Sequence, residues 1–281
     1  MKLLRYGPPG KEKPGLVDSQ GRIRSLHKKI KDITPETLSP AGLTALRKLN
    51  PEKLPLVPGK PRLGVPLTGI GKIVAVGLNY SDHAKEAGLP IPPEPILFMK
   101  SITSLNGPND KVKLPRNHMK GDWEVELGIV IGRKAQYVEE KDALKYVAGF
   151  CVINDVSERH FQIERSGQWV KGKSCDTFCP VGPWLVTTDE IKNPQGLKMW
   201  LKVNGETKQD GSTSTMIFGV KHLVSYISQF MTLMPGDIIP TGTPPGVGLG
   251  IKPTPQFLKP GDVMELGIDG LGTQRQVVVG P

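Results

Sequence analysis

Between Gly121 and Gly132 the chain alternates: Trp123, Val125, Leu127, Ile129 and Ile131 are apolar, and Glu124, Glu126, Gly128 and Val130 fall between them. Period-two alternation predicts a β-strand with one strongly apolar face. The other face carries two glutamates and then Gly128 and Val130, so both faces are expected in the interior. Residues i and i+2 lie roughly 7 Å apart along a strand, which lets Glu124 and Glu126 converge on one hard cation. A solvated sheet face would carry the same pair without a ligand; once buried, the two charges repel unless a cation or a proton intervenes.

The rest of the pattern predicts many short strands and few helices. Extended pieces are expected at residues 2–6, 14–18 and 22–26, then a helix from Pro40 to Leu46 with Ser39 as its N-cap. Five prolines between residues 51 and 66 read as a linker. The chain therefore divides into a small N-terminal domain, residues 1–66, and a main domain, residues 67–281. Residues 72–77 and 148–155 read as buried strands, the second ending in Asp155. Residues 156–162 read as a short helix capped by Ser157. Asn204-Gly205 marks a hairpin turn after a strand at 199–204, residues 218–231 form an amphipathic helix, and Pro235-Gly236-Asp237 turns into a strand at 238–239.

Composition narrows the class. A hydrophobic share of 37% with 33 Gly and 27 Pro in 281 residues fits a turn-rich globular protein. The excess of 37 Lys and Arg over 27 Asp and Glu gives +10. These cations are scattered and no nucleic-acid motif accompanies them, so they are read as solubility with some steering of anions, and nucleic acid is not an expected partner. Cys151, Cys175 and Cys179 show neither paired nor zinc-type spacing. No apolar run approaches the roughly 20 residues needed to span a bilayer, and Gly7-Pro8-Pro9-Gly10 interrupts the basic start before any apolar segment. A cytoplasmic location without membrane contact is the expectation.

Candidate chemistry lies in several short stretches. If residues 79–88 form a helix, His83 and Glu86 are neighbours at i,i+3 and the carboxylate can hold the imidazole as a general base; a surface pair would look the same. Pro90, Pro92, Pro93 and Pro95 exclude regular structure from residues 89–95, which are expected to form part of a mobile lid. Arg159 and Gln162, three apart beyond Asp155, offer a guanidinium and an amide to a carboxylate. The stretch Gly167 to Ser174 formally fits G-x-x-x-x-G-K-S/T. No buried strand precedes it and Cys179-Pro180 come soon after, so Lys173 is read as a cation aimed at a carboxylate-rich pocket. The loop Thr241-Gly242-Thr243-Pro244-Pro245-Gly246-Val247-Gly248 presents backbone N–H groups and two hydroxyls suited to an anion.

Taken together and in order, Asn79-Tyr80-x-x-His83-x-x-Glu86, Asp122-Trp123-Glu124-x-Glu126-Leu127, Asn154-Asp155-x-Ser157-x-Arg159-x-x-Gln162, Gly172-Lys173-Ser174-x-Asp176-Thr177 and Thr241-Gly242-Thr243-Pro244-x-Gly246-Val247-Gly248 resemble the fumarylacetoacetate hydrolase family. The resemblance covers about residues 70–270, and the first 66 residues are similar to the variable leading domain of bacterial members. It implies an α+β fold, a mixed β-sandwich roll, a homodimer and a divalent cation, Mg²⁺ or Mn²⁺. Glu124, Glu126 and Asp155 are implied as metal ligands, His83 and Glu86 as the dyad that activates water, and Lys173 as an electrostatic partner. Arg159, Gln162 and Thr243 are implied to hold the substrate.

One departure narrows the substrate. The larger eukaryotic hydrolases carry a further acid before the catalytic His, where this chain reads Val76-Gly77-Leu78-Asn79. The smaller acylpyruvase-like members fit better. The implied reaction is metal-dependent hydrolysis of a carbon–carbon bond in a small anionic keto acid, an acylpyruvate or a 2,4-diketo-3-deoxy sugar acid. The same scaffold also serves ureidoglycolate lyase, oxaloacetate decarboxylase or hydroxymuconate isomerase chemistry, and a metal-stabilised binding protein is the non-enzymatic alternative.

Overall fold

Backbone extension dominates because apolar residues recur at alternate positions over short runs broken by Gly and Pro. The computed structural model describes all 281 residues. Strands β1 (Lys2–Tyr6), β2 (Lys13–Val17) and β3 (Ile23–Ser25) lead to helix α1 (Pro40–Arg47), β4 (Leu63–Gly64) and β5 (Ile73–Gly77). Helix α2 (Ser81–Ala87), β6 (Ile96–Lys100), β7 (Leu105–Asn106), β8 (Val112–Lys113), β9 (Gly121–Asp122), β10 (Val125–Ile131), β11 (Val147–Asn154) and β12 (Ser157–Glu158) come next. Helix α3 (Val170–Lys173), β13 (Cys179–Thr187), β14 (Lys198–Val203), β15 (Glu206–Ser212), α4 (Val220–Phe230), β16 (Ile238–Pro240), β17 (Val263–Ile268) and β18 (Gly272–Val279) complete the chain.

The strands form a mixed, eleven-stranded sheet of order β3-β2-β1-β13-β11-β10-β16-β5-β6, with β4 on β1 and β7 on β13. A second sheet of five strands, β15-β14-β17-β18-β8, packs against it. Val125, Leu127, Ile129 and Ile131 of β10 meet Met199, Leu201, Met264 and Leu266 of the smaller sheet, with Leu223 and Ile227 of α4, in one core. Val130 faces the opposite side, where Leu3, Leu16, Leu43 and Leu46 of the first 66 residues cover Ala148, Cys151 and Ile153. The leading segment thus shares a core with the main sheet, and β1 extends that sheet by pairing Leu3 with Leu185. No helix is long and apolar enough to cross a membrane.

Local signals behave as their chemistry dictates. Ser39 Oγ accepts the Gly42 N–H at 3.1 Å ahead of Pro40, capping α1. Gly88 ends α2 in the left-handed conformation at φ 67°. Asn204 and Gly205 both have positive φ, 51° and 81°, which the two-residue β14–β15 hairpin requires.

Two expectations are corrected. The strand expected through residues 121–132 is interrupted at Trp123-Glu124, where side chains replace the ladder: Asp122 Oδ1 accepts the Trp123 N–H, Asn154 Oδ1 the Glu124 N–H, and Gln209 Oε1 the Val125 N–H. The short helix expected from Val156 with Ser157 as N-cap is absent. Ser157 instead pairs with Asp122 in β12–β9 and donates its hydroxyl to the Asp155 carbonyl, which keeps the backbone extended; a single wide helical turn begins only at His160.

Candidate metal and catalytic site

The interruption in the central strands is where the functional side chains gather. Val125 pairs with Asn154, and the Asp155 N–H donates to the Glu124 carbonyl at 2.9 Å, so Glu124 and Glu126 lie beside Asp155 across two neighbouring strands. All three carboxylates are buried, and each brings an oxygen to within 4.8 Å of the other two. At the end of α3, Lys173 Nζ donates to Glu124 Oε2 at 2.7 Å and to Asp155 Oδ2 at 2.8 Å. Arg159 donates through Nη2 to Glu124 Oε1 at 2.7 Å and through Nε to Asp122 Oδ2 at 2.8 Å. Lys100, fully buried at the end of β6, donates to Asp155 Oδ1 at 2.6 Å and also to the Lys173 carbonyl.

Burial by itself raises a carboxyl pKa. At Glu124 the charges of Lys173 and then Arg159 outweigh burial and hold the group well below the usual carboxylate range. At Glu126 burial acts together with the charges of Asp155 and Glu124 and pushes the group well above that range. Burial pulls the Lys173 ammonium down, yet Asp155 and Glu124 more than compensate, and it stays charged.

This asymmetry tests whether a cation fits. Glu126 Oε2 accepts the Gly242 N–H at 2.8 Å, whereas Oε1 has no partner within the protein. Four buried carboxylates, Asp122, Glu124, Glu126 and Asp155, face three buried cations, Lys100, Arg159 and Lys173. One negative charge is left over. An all-oxygen donor set with an uncompensated carboxylate fits a hard divalent ion such as Mg²⁺ or Mn²⁺, held by Glu124, Glu126 and Asp155.

The expected dyad faces the same space. His83 Nδ1 lies 3.0 Å from Glu86 Oε2, and both line the cavity of about 380 Å³ that contains Glu124, Glu126, Arg159, Gln162, Lys173 and Thr243. Glu86 also accepts the Gly246 N–H at 3.0 Å through Oε1, which docks α2 on the loop after β16. With Nδ1 committed to Glu86, the imidazole has only Nε2 left for a ligand.

All nine predicted side chains therefore meet around one cavity, Asp155 being buried beneath it against Lys173. Their freedom differs. Gln162 Oε1 accepts from Arg159 Nη1 at 3.0 Å, and its amide nitrogen has no protein partner and remains a donor. The Thr243 hydroxyl donates to the Val125 carbonyl at 2.9 Å and accepts from Gln209 Nε2 at 2.8 Å, so its proton is spent within the chain. The Thr243 backbone N–H makes no bond within the chain. The anions met by the other loop N–H groups are the protein's own: Gly242 binds Glu126, Gly246 binds Glu86, and Gly248 binds Asp122 at 2.6 Å.

Sequence reasoning missed Lys100 and the role of Asp122. A lysine closing the apolar run Ile96 to Met99 was the only local sign of the first. The second stands beside the E-x-E pair, but Arg159, Gly248 and Leu249, which it holds, are 37 or more residues away.

Comparisons with known proteins identify the family and the fold. The model of the fumarylacetoacetate (FAA) hydrolase C-terminal domain matches residues 72–279. A Burkholderia cenocepacia protein whose name goes no further than hydrolase is 58% identical over 276 residues, 98% of each chain. The crystal structure of maleylpyruvate hydrolase from Sphingobium sp. SYK-6, in complex with manganese(II) and pyruvate, superposes with TM-score 0.82 at 28% identity, covering 100% of this chain and 99% of that one. A 5-carboxymethyl-2-hydroxymuconate delta-isomerase from Mycobacterium smegmatis gives TM-score 0.77 at 31% identity over 100% and 99% of the two chains.

Proposed function

We propose a reaction from one premise: this chain belongs to the fumarylacetoacetate hydrolase family, and its cavity sets a base dyad opposite buried carboxylates. The reaction is hydrolysis of the C3–C4 bond of a 2,4-diketo acid, an acylpyruvate, to pyruvate and a carboxylic acid. The observation that carries it is the His83–Glu86 pair at 3.0 Å facing the same cavity as Glu126, whose second oxygen lacks a partner.

The Gln162 amide nitrogen and the Thr243 backbone N–H are the free donors for the substrate carboxylate, with the remaining Arg159 N–H groups behind them. His83 Nε2 takes a proton from water while Glu86 holds Nδ1. The water oxygen bonds to C4, the C3–C4 bond breaks, and its electron pair passes to the pyruvate half as an enolate. A proton returned to C3 completes pyruvate. Lys173, charged and aimed at the cluster, favours negative charge at that end. A bound Mg²⁺ or Mn²⁺ would supply Lewis-acid stabilisation of that charge.

An isomerase reading uses the same dyad to move a proton without consuming water, and the isomerase relative supports keeping it. Incubation of acylpyruvates with the protein in ¹⁸O water, with and without Mg²⁺, tests the main reading: label in the released acid and pyruvate formation are expected. Absence of both, with any rearranged product free of label, would transfer the protein to the isomerase class. The homodimer is part of the proposal, since β6 ends the larger sheet with Met99 and neighbouring Ile102 exposed; sedimentation velocity decides it.

A further inference from the structure

The edge strand of the smaller sheet sends one side chain toward the site from behind. β14 and β15 pair Leu201 with Gln209 but Lys202 with Thr207, so Lys208 is an extra residue on β15. A one-residue bulge exchanges the two faces of a strand. Without it Gln209 would stand opposite Trp200, on the face away from the core; with it Gln209 shares the inner face with Leu201 and is fully buried.

The Gln209 carboxamide is saturated. Its Oε1 accepts the Val125 N–H at 2.9 Å, between Glu124 and Glu126, while Nε2 donates to Thr243 Oγ1 at 2.8 Å and to the Pro244 carbonyl at 2.9 Å. The Thr243 hydroxyl in turn donates to the Val125 carbonyl at 2.9 Å. One amide thus closes a ring of hydrogen bonds between the strand that bears the glutamates and the loop after β16. Accepting from one backbone and donating twice to the other is what a carboxamide can do and a carboxylate or hydroxyl cannot. The loop also fits β15 closely: a Cβ on Gly211 would come within 2.5 Å of Pro244 Cβ, and one on Gly246 within 1.8 Å of the Lys208 carbonyl oxygen.

We propose that Gln209 is a positioning residue for the keto-acid carboxylate: by fixing Thr243 and Pro244 against Val125, it aims the unpaired Thr243 backbone N–H into the cavity beside Glu126. The inference rests on the proposed function for placing the substrate carboxylate at that N–H. Gln209 does not line the cavity, so its effect on a ligand passes through Thr243 and the loop. Glu124 and Asp155 are held by Lys173 and Arg159 without its help, which separates the loop from the metal ligands.

Gln209→Met removes the three bonds with little change of volume. Calorimetric titration with Mn²⁺ should give affinities within about twofold of each other for wild type and variant, whereas pyruvate added to the Mn²⁺-loaded variant should bind about tenfold more weakly, the worth of one hydrogen bond. In turnover of an acylpyruvate, KM should rise about tenfold and kcat change by less than about threefold, because the His83–Glu86 contact lies within α2. Gly211→Ala keeps the Gln209 amide but pushes Pro244 off β15; it should show the same loss of pyruvate affinity and decides the matter if Gln209→Met fails to fold. Pyruvate affinity unchanged in the variants, or Mn²⁺ and pyruvate affinity lost in step, would overturn the proposal. Weakened pyruvate binding in a protein that leaves acylpyruvates intact would support it while removing the hydrolytic reading, and a wild type that binds no pyruvate would overturn both.

Discussion

Asp122 and Arg159 form a buried ion pair that joins two parts of the site: Arg159 Nε donates to Asp122 Oδ2 at 2.8 Å, while Gly248 N–H donates to Asp122 Oδ1 at 2.6 Å and Leu249 N–H to Oδ2 at 3.1 Å. One carboxylate therefore fixes both the guanidinium that reaches Glu124 and the turn beside Glu86. Removing one partner of a buried pair typically costs about 3–5 kcal/mol. Asp122→Asn should lose stability of that order in urea unfolding and raise KM for keto acids more than it lowers kcat. An unchanged urea midpoint would show that the pair contributes nothing.

Glu126 is the carboxylate with an uncompensated oxygen, so replacing it affects stability and metal binding in opposite directions. Glu126→Gln without metal should be at least as stable as the wild type at neutral pH, because burial and the charges of Asp155 and Glu124 already favour the neutral carboxyl there, which the amide replaces. The wild type should gain melting temperature on addition of Mg²⁺ or Mn²⁺ by linkage, and the variant should gain none. A variant that still binds metal in a calorimetric titration would remove Glu126 from the ligand set.

His83→Ala should lower kcat on an acylpyruvate by roughly two to four orders of magnitude with metal affinity unchanged. On oxaloacetate, whose decarboxylation needs no hydrolytic water, the loss should be smaller. Equal full activity on both substrates would reduce the His83–Glu86 pair to surface decoration.

The segment carrying that dyad is anchored at its start, where the buried Asn79 amide donates to the Phe218 and Thr241 carbonyls at 3.0 and 2.8 Å, and further along by Asp82 with the Thr215 hydroxyl, Glu86 with the Gly246 N–H and the Tyr226 hydroxyl with Glu94 Oε2 at 2.7 Å. Amide exchange across residues 79–95 should slow when pyruvate and Mg²⁺ are added, as expected of a lid that closes over ligand. Exchange insensitive to both would mean that the segment is fixed.

Acid sensitivity should reside partly in the leading segment. Burial pushes Asp18 up, but hydrogen bonds from Arg24 and Arg22, and from the Gln20 N–H, hold it well below the usual carboxylate range. A depressed folded pKa gives stability that is full above the unfolded value, about 3.9, and is lost as pH falls below it. Asp18→Asn should therefore lower the urea midpoint more at pH 7 than at pH 3, where the loss has begun and continues as pH falls toward the folded pKa. An equal loss at both would refute a charge-based role.

The sequence by itself determined what depends on neighbours along the chain. Alternation put Glu124 and Glu126 on the same side of the chain, although β10 begins only at Val125, the i,i+3 spacing brought His83 to Glu86, Ser39-Pro40 started a helix, and Asn204-Gly205 closed a hairpin, because strand, helix and turn geometry fix these relations within a few residues. Only the tertiary structure decided that Lys100 lies against Asp155, 55 residues away, that Asp122 binds Arg159, and that the Thr243 hydroxyl is spent on Val125. Burial sets these contacts: a charge or hydroxyl taken from water must find a partner wherever packing brings one, and sequence spacing does not record it. The same holds for the first 66 residues. Their strands were legible locally, but their place on β13 depends on which sheet edge and which apolar face the rest of the fold leaves uncovered.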